Sequence, residues 1–367
     1  MENFRINVGA AFLGSEFDYV EKVNVEISDG IISHIGHGYD TNAKDFRNFI
    51  LFPPLVNSHT HTADYSFPEY GIRQSIKEVV GDPLSQKYTY FKSIDPSIIR
   101  NGIENFIIDS QKFGVLAIVD FREQGINGAK LVSELRRRND IKYIILGRLD
   151  FFDTYELNEL SKITDGYGLP SISSNSKQEL LEIFNAFSTK IRAVHISETL
   201  KQYLLDDFRY ITESYKPNLL IHATHFKYPD FRELGTSVVF CPRSNMWFGV
   251  GVPRIVDAIN ANINILFGTD NAGLLSPNLW LDLELGLLIT RIQEPMSDYS
   301  KEILRGATYN AYKQFNLNWG IEEGKEAKFV LISGNTIFNA VNKHIAIIKR
   351  ASGNLIYDNL GAIQNIS

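Results

Sequence analysis

Two histidines separated by one residue, His59 and His61, stand in the segment PPLVNSHTHTADY. The apolar residues before them predict a β-strand, and alternate side chains of a strand point to the same face. Two imidazoles on one face can share a single metal ion. Taken alone, the pair has a simpler alternative, which is a polar loop with incidental histidines.

Three further segments end predicted strands with side chains that bind metals or transfer protons. AVHISET contains His195 and Glu198, LLIHATHF contains His222 and His225, and ILFGTDNAG contains Asp270. His195 could be a third ligand, and Asp270 could bind the metal and accept a proton from its water. We expect His222 to polarise that water or a developing oxyanion, and His225 to be structural or at the pocket rim. The alternatives are helix capping by Asp270 and a dipole contact at a helix start by Glu198.

The middle of the chain contains eight candidate strands, each followed by a helical pattern. Such alternation predicts a parallel α/β fold, and eight units favour a closed barrel. The carboxyl ends of barrel strands converge on one pocket, so the motifs above predict a catalytic metal site there. The candidate strands cover residues 52–57, 115–121, 142–150, 164–169, 191–196, 218–222, 236–241 and 262–268.

The two ends of the chain predict a separate small β-domain. VNVEISDGIISHIGHG alternates apolar and polar residues around Asp29-Gly30, which is a hairpin signal. AKFVLIS and HIAIIKR are also interpreted as strands. We therefore expect residues 1–51 and 325–367 to form one β-domain and residues 52–324 to form the barrel.

Composition limits the location and the partners of the chain. Its 367 residues are 44% apolar and 22% charged, with a net charge of −6, which argues against a nucleic-acid or anionic-membrane partner. The single cysteine, Cys241, excludes an intramolecular disulfide and fits a reducing compartment. No apolar run approaches the roughly 18 residues of a membrane span, and the N-terminus does not read as a signal peptide. We expect a cytoplasmic protein and consider a homodimer, the commonest oligomer.

The four motifs, in this order, resemble the amidohydrolase superfamily. They look closest to its branch of cytosine, guanine and adenosine-type deaminases and triazine chlorohydrolases, and to archaeal proteins called chlorohydrolase-like. The resemblance implies a deformed (β/α)8 barrel, of the TIM type, with a β-sandwich formed by both termini. It also implies a set of metal ligands, His59, His61, His195 and Asp270, and two catalytic residues, Glu198 and His222.

Two segments depart from the patterns of that superfamily. Its binuclear members carry a carboxylated lysine after strand four, where this chain offers only Lys177, at the predicted start of a helix. We therefore expect one divalent metal ion, with zinc first and iron(II) second. The second departure is DFREQG, where Arg122 and Glu123 either contact a polar substrate or pair with each other.

The predicted reaction is hydrolytic deamination of a small nitrogen heterocycle. The metal would lower the pKa of bound water from about 15.7 towards 7. Asp270 would take the proton of that water, Glu198 would protonate the ring nitrogen, and His222 would stabilise the developing charge. The same groups would expel chloride, so dechlorination stays open. Cyclic amide hydrolysis and a non-catalytic binding protein are the further alternatives, and the retained proton-transfer residues argue against the last.

Side chains that could bind the substrate follow strands three and seven. Arg148 could bind an anionic group or form an ion pair at the surface. Arg243, Ser244 and Asn245 follow strand seven and either line the pocket or shape the loop. Trp247 could stack on a flat ring or belong to the core.

Overall fold

The computed structural model describes residues 3–81, 84–228, 235–353 and 355–356, which form two sheets surrounded by helices. Within these ranges, no helix has both the length and the apolar character needed to cross a membrane. In chain order, the strands are β1 (Phe4–Leu13), β2 (Asp18–Ser28), β3 (Ile31–His37), β4 (Lys44–Phe52), β5 (Leu55–His61), β6 (Val115–Arg122), β7 (Lys142–Gly147), β8 (Gly166–Leu169), β9 (Ile191–Ile196), β10 (Leu219–His222), β11 (Ser237–Phe240), β12 (Ile265–Phe267), β13 (Asp270–Asn271), β14 (Val330–Ser333) and β15 (Leu355–Ile356). The α-helices are α1 (Ile76–Val80), α2 (Gln86–Ser93), α3 (Pro96–Lys112), α4 (Gly125–Arg136), α5 (Thr154–Ile163), α6 (Lys177–Ala186), α7 (Leu200–Leu204), α8 (Asp207–Tyr210), α9 (Pro242–Trp247), α10 (Ile255–Asn260), α11 (Leu279–Gln293), α12 (Ser300–Gly306), α13 (Tyr309–Phe315) and α14 (Lys343–Arg350).

The parallel strands β5 to β13 form a closed barrel. Each strand from β5 to β11 pairs with the next one along the chain, which ends the series at β12. The short β13 then pairs with β5, with Asp270 opposite Thr60. We treat β12 and β13 as two pieces of one eighth strand, because only Gly268 and Thr269 separate them. The prediction of a (β/α)8 barrel is confirmed.

The junction between the eighth and first strands depends on a residue without a side chain. A Cβ atom on Gly268 would lie 2.6 Å from the carbonyl oxygen of His59 and 2.7 Å from its nitrogen. Next to it, the Asn57 amide donates to Thr269 Oγ1 at 2.8 Å and its oxygen accepts from the Thr269 nitrogen at 3.0 Å. These contacts hold Asp270 beside the strand that carries His59.

The barrel interior is a packed apolar core rather than a channel. Residues such as Val119, Ile221 and Leu266 are fully buried inside the ring of strands. At its amino-terminal end, Tyr312 from α13 donates a hydrogen bond to the carbonyl of Pro54. An active site is therefore expected at the carboxyl ends of the strands, as in other barrels of this type.

The second sheet combines both ends of the chain in the order β15-β14-β4-β1-β2-β3. The predicted hairpin is present between β2 and β3, where Ser28 pairs with Ile31. Asp29 and Gly30 in its turn have φ angles of 52° and 78°, the left-handed values that this tight turn requires. We retain residues 1–51 with 325–367 and residues 52–324 as the proposed extents of the two domains.

The interpretation of HIAIIKR as a strand was wrong, because this segment is helix α14. The side chain of Asn342 accepts a hydrogen bond from the nitrogen of Ile345 at 2.9 Å, which caps the helix. Lys349 and Arg350 lie in its last turn, where cations are favoured. The alternating isoleucines suggested a strand, but the cap and the packing of α14 against α11 and α12 favour the helix.

Candidate active site

The carboxylate of Asp270 is the point at which side chains from several strands meet. His59 Nε2 lies 3.0 Å from Asp270 Oδ1, and His61 Nε2 lies 3.5 Å from the same oxygen. His222 Nε2 lies 3.9 Å from Asp270 Oδ2. Residues from the first, sixth and eighth strands therefore face one small space at the barrel mouth.

His195 lies in β9, the fifth strand of the barrel, and Glu198 lies in the turn after it. The ring centroid of His195 is 4.8 Å from that of His59, and its Nδ1 lies 3.1 Å from the carbonyl oxygen of Leu169. Glu198 Oε1 lies 3.5 Å from His222 Nε2. All six residues that the sequence selected are thus neighbours at the mouth of the barrel.

The chemistry of this cluster fits a divalent metal ion. One donor atom from each of His59, His195, His222 and Asp270 lies within 4.8 Å of all the others. Burial lowers the pKa of His59 to about 3 and that of His195 well below its usual value, so both rings are neutral at pH 7. Burial would raise the pKa of Asp270, but its hydrogen bond with His59 holds that pKa well below its usual range. Neutral imidazoles with an ionised carboxylate are a typical donor set for such an ion.

This group of four differs by one member from the ligand set that the resemblance implies. It contains His222, whereas the implied set contains His61, whose Nε2 also faces Asp270. The Asn245 amide donates to Thr224 Oγ1 at 2.8 Å, so its oxygen faces His222 Nδ1 at 2.9 Å. That nitrogen must carry a hydrogen, and Nε2 of His222 is directed at the pocket. His222 can therefore bind a metal or contact a substrate through Nε2.

Three residues of the site have left-handed backbone conformations where their strands end. The φ angles are 43° at Ser197, 68° at His222 and 61° at Asp270. Non-glycine residues adopt such angles only where surrounding contacts enforce them. For Ser197 the contact is Asp207, whose carboxylate accepts from its nitrogen and from its hydroxyl, both at 2.6 Å. For Asp270, Ser244 donates a hydrogen bond to Oδ2.

Replacing Asp207 with asparagine is expected to lower kcat by about tenfold with little change in KM, because the turn that presents Glu198 loses a charged acceptor. The matched control is Asp206→Asn, because Asp206 is the exposed neighbour and its positive φ of 52° suits asparagine. Steady-state kinetics of both variants would check this. Equal activity of the two variants would contradict a role for Asp207.

Glu198 lies in surroundings that favour its protonated form. Its side chain is 12% exposed, and burial raises the pKa of its carboxyl group. The charge on Asp270 acts in the same direction, whereas His222 opposes it. Two carboxyl groups in one pocket thus have opposite tendencies: Asp270 is ionised and Glu198 tends to hold a proton. This is the usual arrangement of a general base and a general acid.

The charged residues after strands two and three gather around Glu123 rather than forming one exclusive pair. Glu123 Oε1 lies 2.8 Å from His61 Nδ1 and 2.6 Å from Lys87 Nζ. Arg148 lies 4.0 Å from the same oxygen, and Arg122 lies 4.0 Å from Oε2. All are buried. A role of Arg122, Glu123 or Arg148 in substrate binding stays a prediction.

The two candidates after strand seven border the site without pointing to its centre. Arg243 donates from Nε to Asp282 at 2.8 Å, and Trp247 is 46% exposed at the end of α9. Their neighbours Ser244 and Asn245 instead contact Asp270 and His222 directly. Substrate contacts by Arg243 and Trp247 stay predictions.

Sequence reasoning missed two charged residues next to the cluster. The Lys87 ammonium, from α2, lies 2.9 Å from Asp64 Oδ2 and 2.6 Å from Glu123 Oε1. The side chains of Lys87 and Asp64 are almost fully buried. Asp64 follows His61 by three residues, which could have suggested a contact with the site. Lys87 is one of two lysines in the polar segment QKYTYFKS, and nothing there indicates burial.

Comparison with known proteins identifies the class. The model of the amidohydrolase family matches residues 171–354. An uncharacterized protein of Methanocaldococcus jannaschii is 30% identical over 95% of both chains, and a 5′-deoxyadenosine deaminase of Methanothrix thermoacetophila is 26% identical over 86% of this chain and 82% of its own. The zinc complex of the atrazine chlorohydrolase TrzN from Arthrobacter aurescens superimposes with a TM-score of 0.82 at 16% identity, over 99% of this chain and 98% of that structure.

The chain belongs to the amidohydrolase family. It is a metal-dependent hydrolase of the class that acts on carbon–nitrogen bonds other than peptide bonds. The predictions of the family and of this enzyme class are confirmed.

Proposed function

We propose that this enzyme removes an amino group hydrolytically from a small nitrogen heterocycle. The observation that carries the proposal is the pairing of Asp270 with a largely buried Glu198 across His222, next to three further histidines, His59, His61 and His195. Such a reaction needs one group to accept a proton from water and another to donate a proton to the ring.

Each side chain has a role that follows from its surroundings. A bound zinc ion would supply the Lewis acidity that makes water a nucleophile at neutral pH. Asp270 accepts the proton of the attacking water, because its carboxylate is ionised. Glu198 donates to the ring nitrogen next to the attacked carbon, because burial favours its protonated form. His222 stabilises the charge that builds up during the attack through Nε2, the nitrogen that Asn245 leaves directed at the pocket.

We propose a single zinc ion held by His59, His61, His195 and Asp270, with iron(II) as the alternative. Lys177 does not supply the carboxylated lysine of a binuclear site, because it starts α6 and its exposed ammonium pairs with Glu213 at 3.2 Å. Histidine-rich ligation with one carboxylate suits zinc.

The first substrate class to test is the 6-aminopurines and their nucleosides. The deaminase relative named above acts on 5′-deoxyadenosine by its name, and it matches most of this chain. Dechlorination and cyclic amide opening use the same groups and remain the alternatives. The cytoplasmic location and the homodimer also stay predictions.

A panel of aminopurines, aminopyrimidines, pterins, chlorotriazines and cyclic amides, assayed for ammonia, chloride and ring opening, tests the reaction. We expect ammonia release from an aminopurine, loss of activity after treatment with a chelator, and recovery with about one equivalent of zinc. His59→Ala should abolish metal retention, whereas His344→Ala, which alters a residue of the remote helix α14, should retain the metal. Ring opening without ammonia, or full turnover of the metal-free protein, would refute the proposal.

A further inference from the structure

A buried pair of opposite charges lies directly behind one of the proposed metal ligands. Glu123 Oε1 is 2.8 Å from His61 Nδ1 and 2.6 Å from the ammonium of Lys87. The exposed fractions of the two charged side chains are 1% and 3%. His61 is thus in contact with a carboxylate on one side of its ring and faces Asp270 on the other.

We infer that Glu123 is a positioning residue that fixes His61 in the tautomer able to bind the metal, and that Lys87 holds Glu123 in place. This inference rests on the proposed metal site but not on the proposed reaction.

The contact with Glu123 decides which ring nitrogen of His61 carries the hydrogen. An ionised carboxylate accepts hydrogen bonds and donates none, so Nδ1 of His61 must be the donor. In the neutral ring, Nε2 is then unprotonated and its lone pair is directed at the space around Asp270. A histidine ligand whose second nitrogen donates to a carboxylate is also restrained in ring orientation.

The ammonium of Lys87 stabilises the ionised carboxylate of Glu123 in the protein interior and holds it in place. Burial would lower the pKa of Lys87, but Asp64 and Glu123 raise it above its usual value, so the ammonium is charged. It bridges Glu123 to Asp64, which follows the strand that carries His61. Without this cation, both buried carboxylates would lose their nearest positive charge, and Glu123 would keep only the two guanidinium groups at 4.0 Å.

The helix that supplies Lys87 is itself packed over the strand ends. Phe91 of α2 lies against the Arg122 guanidinium, with 5.9 Å between guanidinium carbon and ring centroid, and Tyr88 lies in the same way against Arg148 at 5.5 Å. These contacts place α2 over the strand ends where Arg122, Glu123 and Arg148 lie. The position of Lys87 therefore depends on the packing of α2 as well as on its ion pair with Glu123.

Three variants separate positioning from general loss of structure. Glu123→Leu removes the acceptor, Glu123→Gln keeps an acceptor oxygen but removes the charge, and Asp64→Asn disturbs the same lysine without touching His61. The probe is Zn²⁺ alone, titrated into the metal-free full-length chain against a chromophoric chelator. A second readout is the tautomer of His61 in the metal-free chain, followed by NMR of ¹⁵N-labelled histidines.

We expect zinc affinity to fall about a hundredfold in Glu123→Leu and about tenfold in Glu123→Gln, and to stay within about threefold in Asp64→Asn. We also expect hydrogen on Nδ1 of His61 in the unsubstituted chain and a shift of that hydrogen towards Nε2 in Glu123→Leu. If Glu123→Leu does not fold, Glu123→Gln compared with Asp64→Asn decides.

Either of two results would overturn the inference. One is a zinc affinity of the Glu123 variants no weaker than that of Asp64→Asn, and the other is an unchanged His61 tautomer in Glu123→Leu. Because neither readout uses a substrate, a chain that binds zinc as expected but deaminates nothing refutes the proposed function and leaves this inference standing.

Discussion

Replacing Asp270 with asparagine is expected to lower kcat by about a thousandfold or more, which is the range for loss of a proton acceptor together with electrostatic stabilisation. The asparagine amide has nearly the same shape as the carboxylate but carries no charge and cannot accept the proton of the attacking water. It also weakens the contacts with His59 and His61, which lie 3.0 and 3.5 Å from Oδ1. The kcat of the purified variant, its zinc content and its thermal unfolding should be measured together.

The fold of the Asp270→Asn variant should be retained, because the hydroxyl of Thr60 donates to the backbone oxygen of residue 270 and not to its side chain. Asp257→Asn is a suitable control, since Asp257 is exposed and forms a surface ion pair with Arg254 at 3.2 Å. The control should keep kcat within about twofold, as surface pairs contribute little. A folded Asp270→Asn enzyme with a kcat close to that of the parent would contradict the assigned role.

Glu198→Gln is expected to lower kcat by about a hundredfold to ten-thousandfold while zinc content stays unchanged, which is the range for loss of a general acid. Glutamine fills the same space, but it cannot deliver a proton to the ring nitrogen. Because Glu198 is not among the proposed ligands, this variant separates proton transfer from metal binding. Pre-steady-state and steady-state kinetics with zinc analysis of the same preparation would check the prediction.

Glu182→Gln is the matched control for Glu198→Gln, because Glu182 is a partly exposed residue of α6 that accepts bonds from Thr154 and Gln178 at the surface. Loss of zinc from Glu198→Gln would show that the carboxyl group is a ligand instead. Normal turnover by this variant would show that another group, or water, supplies the proton.

The barrel could be predicted because its strands are short, apolar and each followed by a helical pattern. The strand around His59 was placed at residues 52–57, whereas β5 runs from Leu55 to His61, so the histidines belong to the strand itself. The division of the eighth strand could not be predicted, because it depends on how closely Gly268 approaches the backbone of His59. HIAIIKR was misassigned because its alternation fits a strand, whereas its cap, Asn342, lies outside the segment.

The six residues of the candidate site could be predicted because four of them are histidines, which are scarce in this chain, and because their positions at strand ends follow from the fold. The contacts that hold them in place could not. Lys87 reaches Glu123 only because α2 packs over the strand ends, and Ser244 reaches Asp270 only because α9 begins directly after β11. Both contacts depend on the relative placement of elements, which residue types and periodicity do not specify.

The left-handed backbone of Ser197, His222 and Asp270 has a consequence for thermal tolerance. Each such residue costs of the order of 1–3 kcal/mol, against a net stability of roughly 5–15 kcal/mol for a typical domain. The enzyme therefore has a lower thermal stability than the same fold without this strain, while the strained positions direct His222 and Asp270 at the pocket and shape the turn that presents Glu198. Glycine at any of these positions would relieve its backbone strain, but it would remove the side chain and, at His222 or Asp270, catalysis.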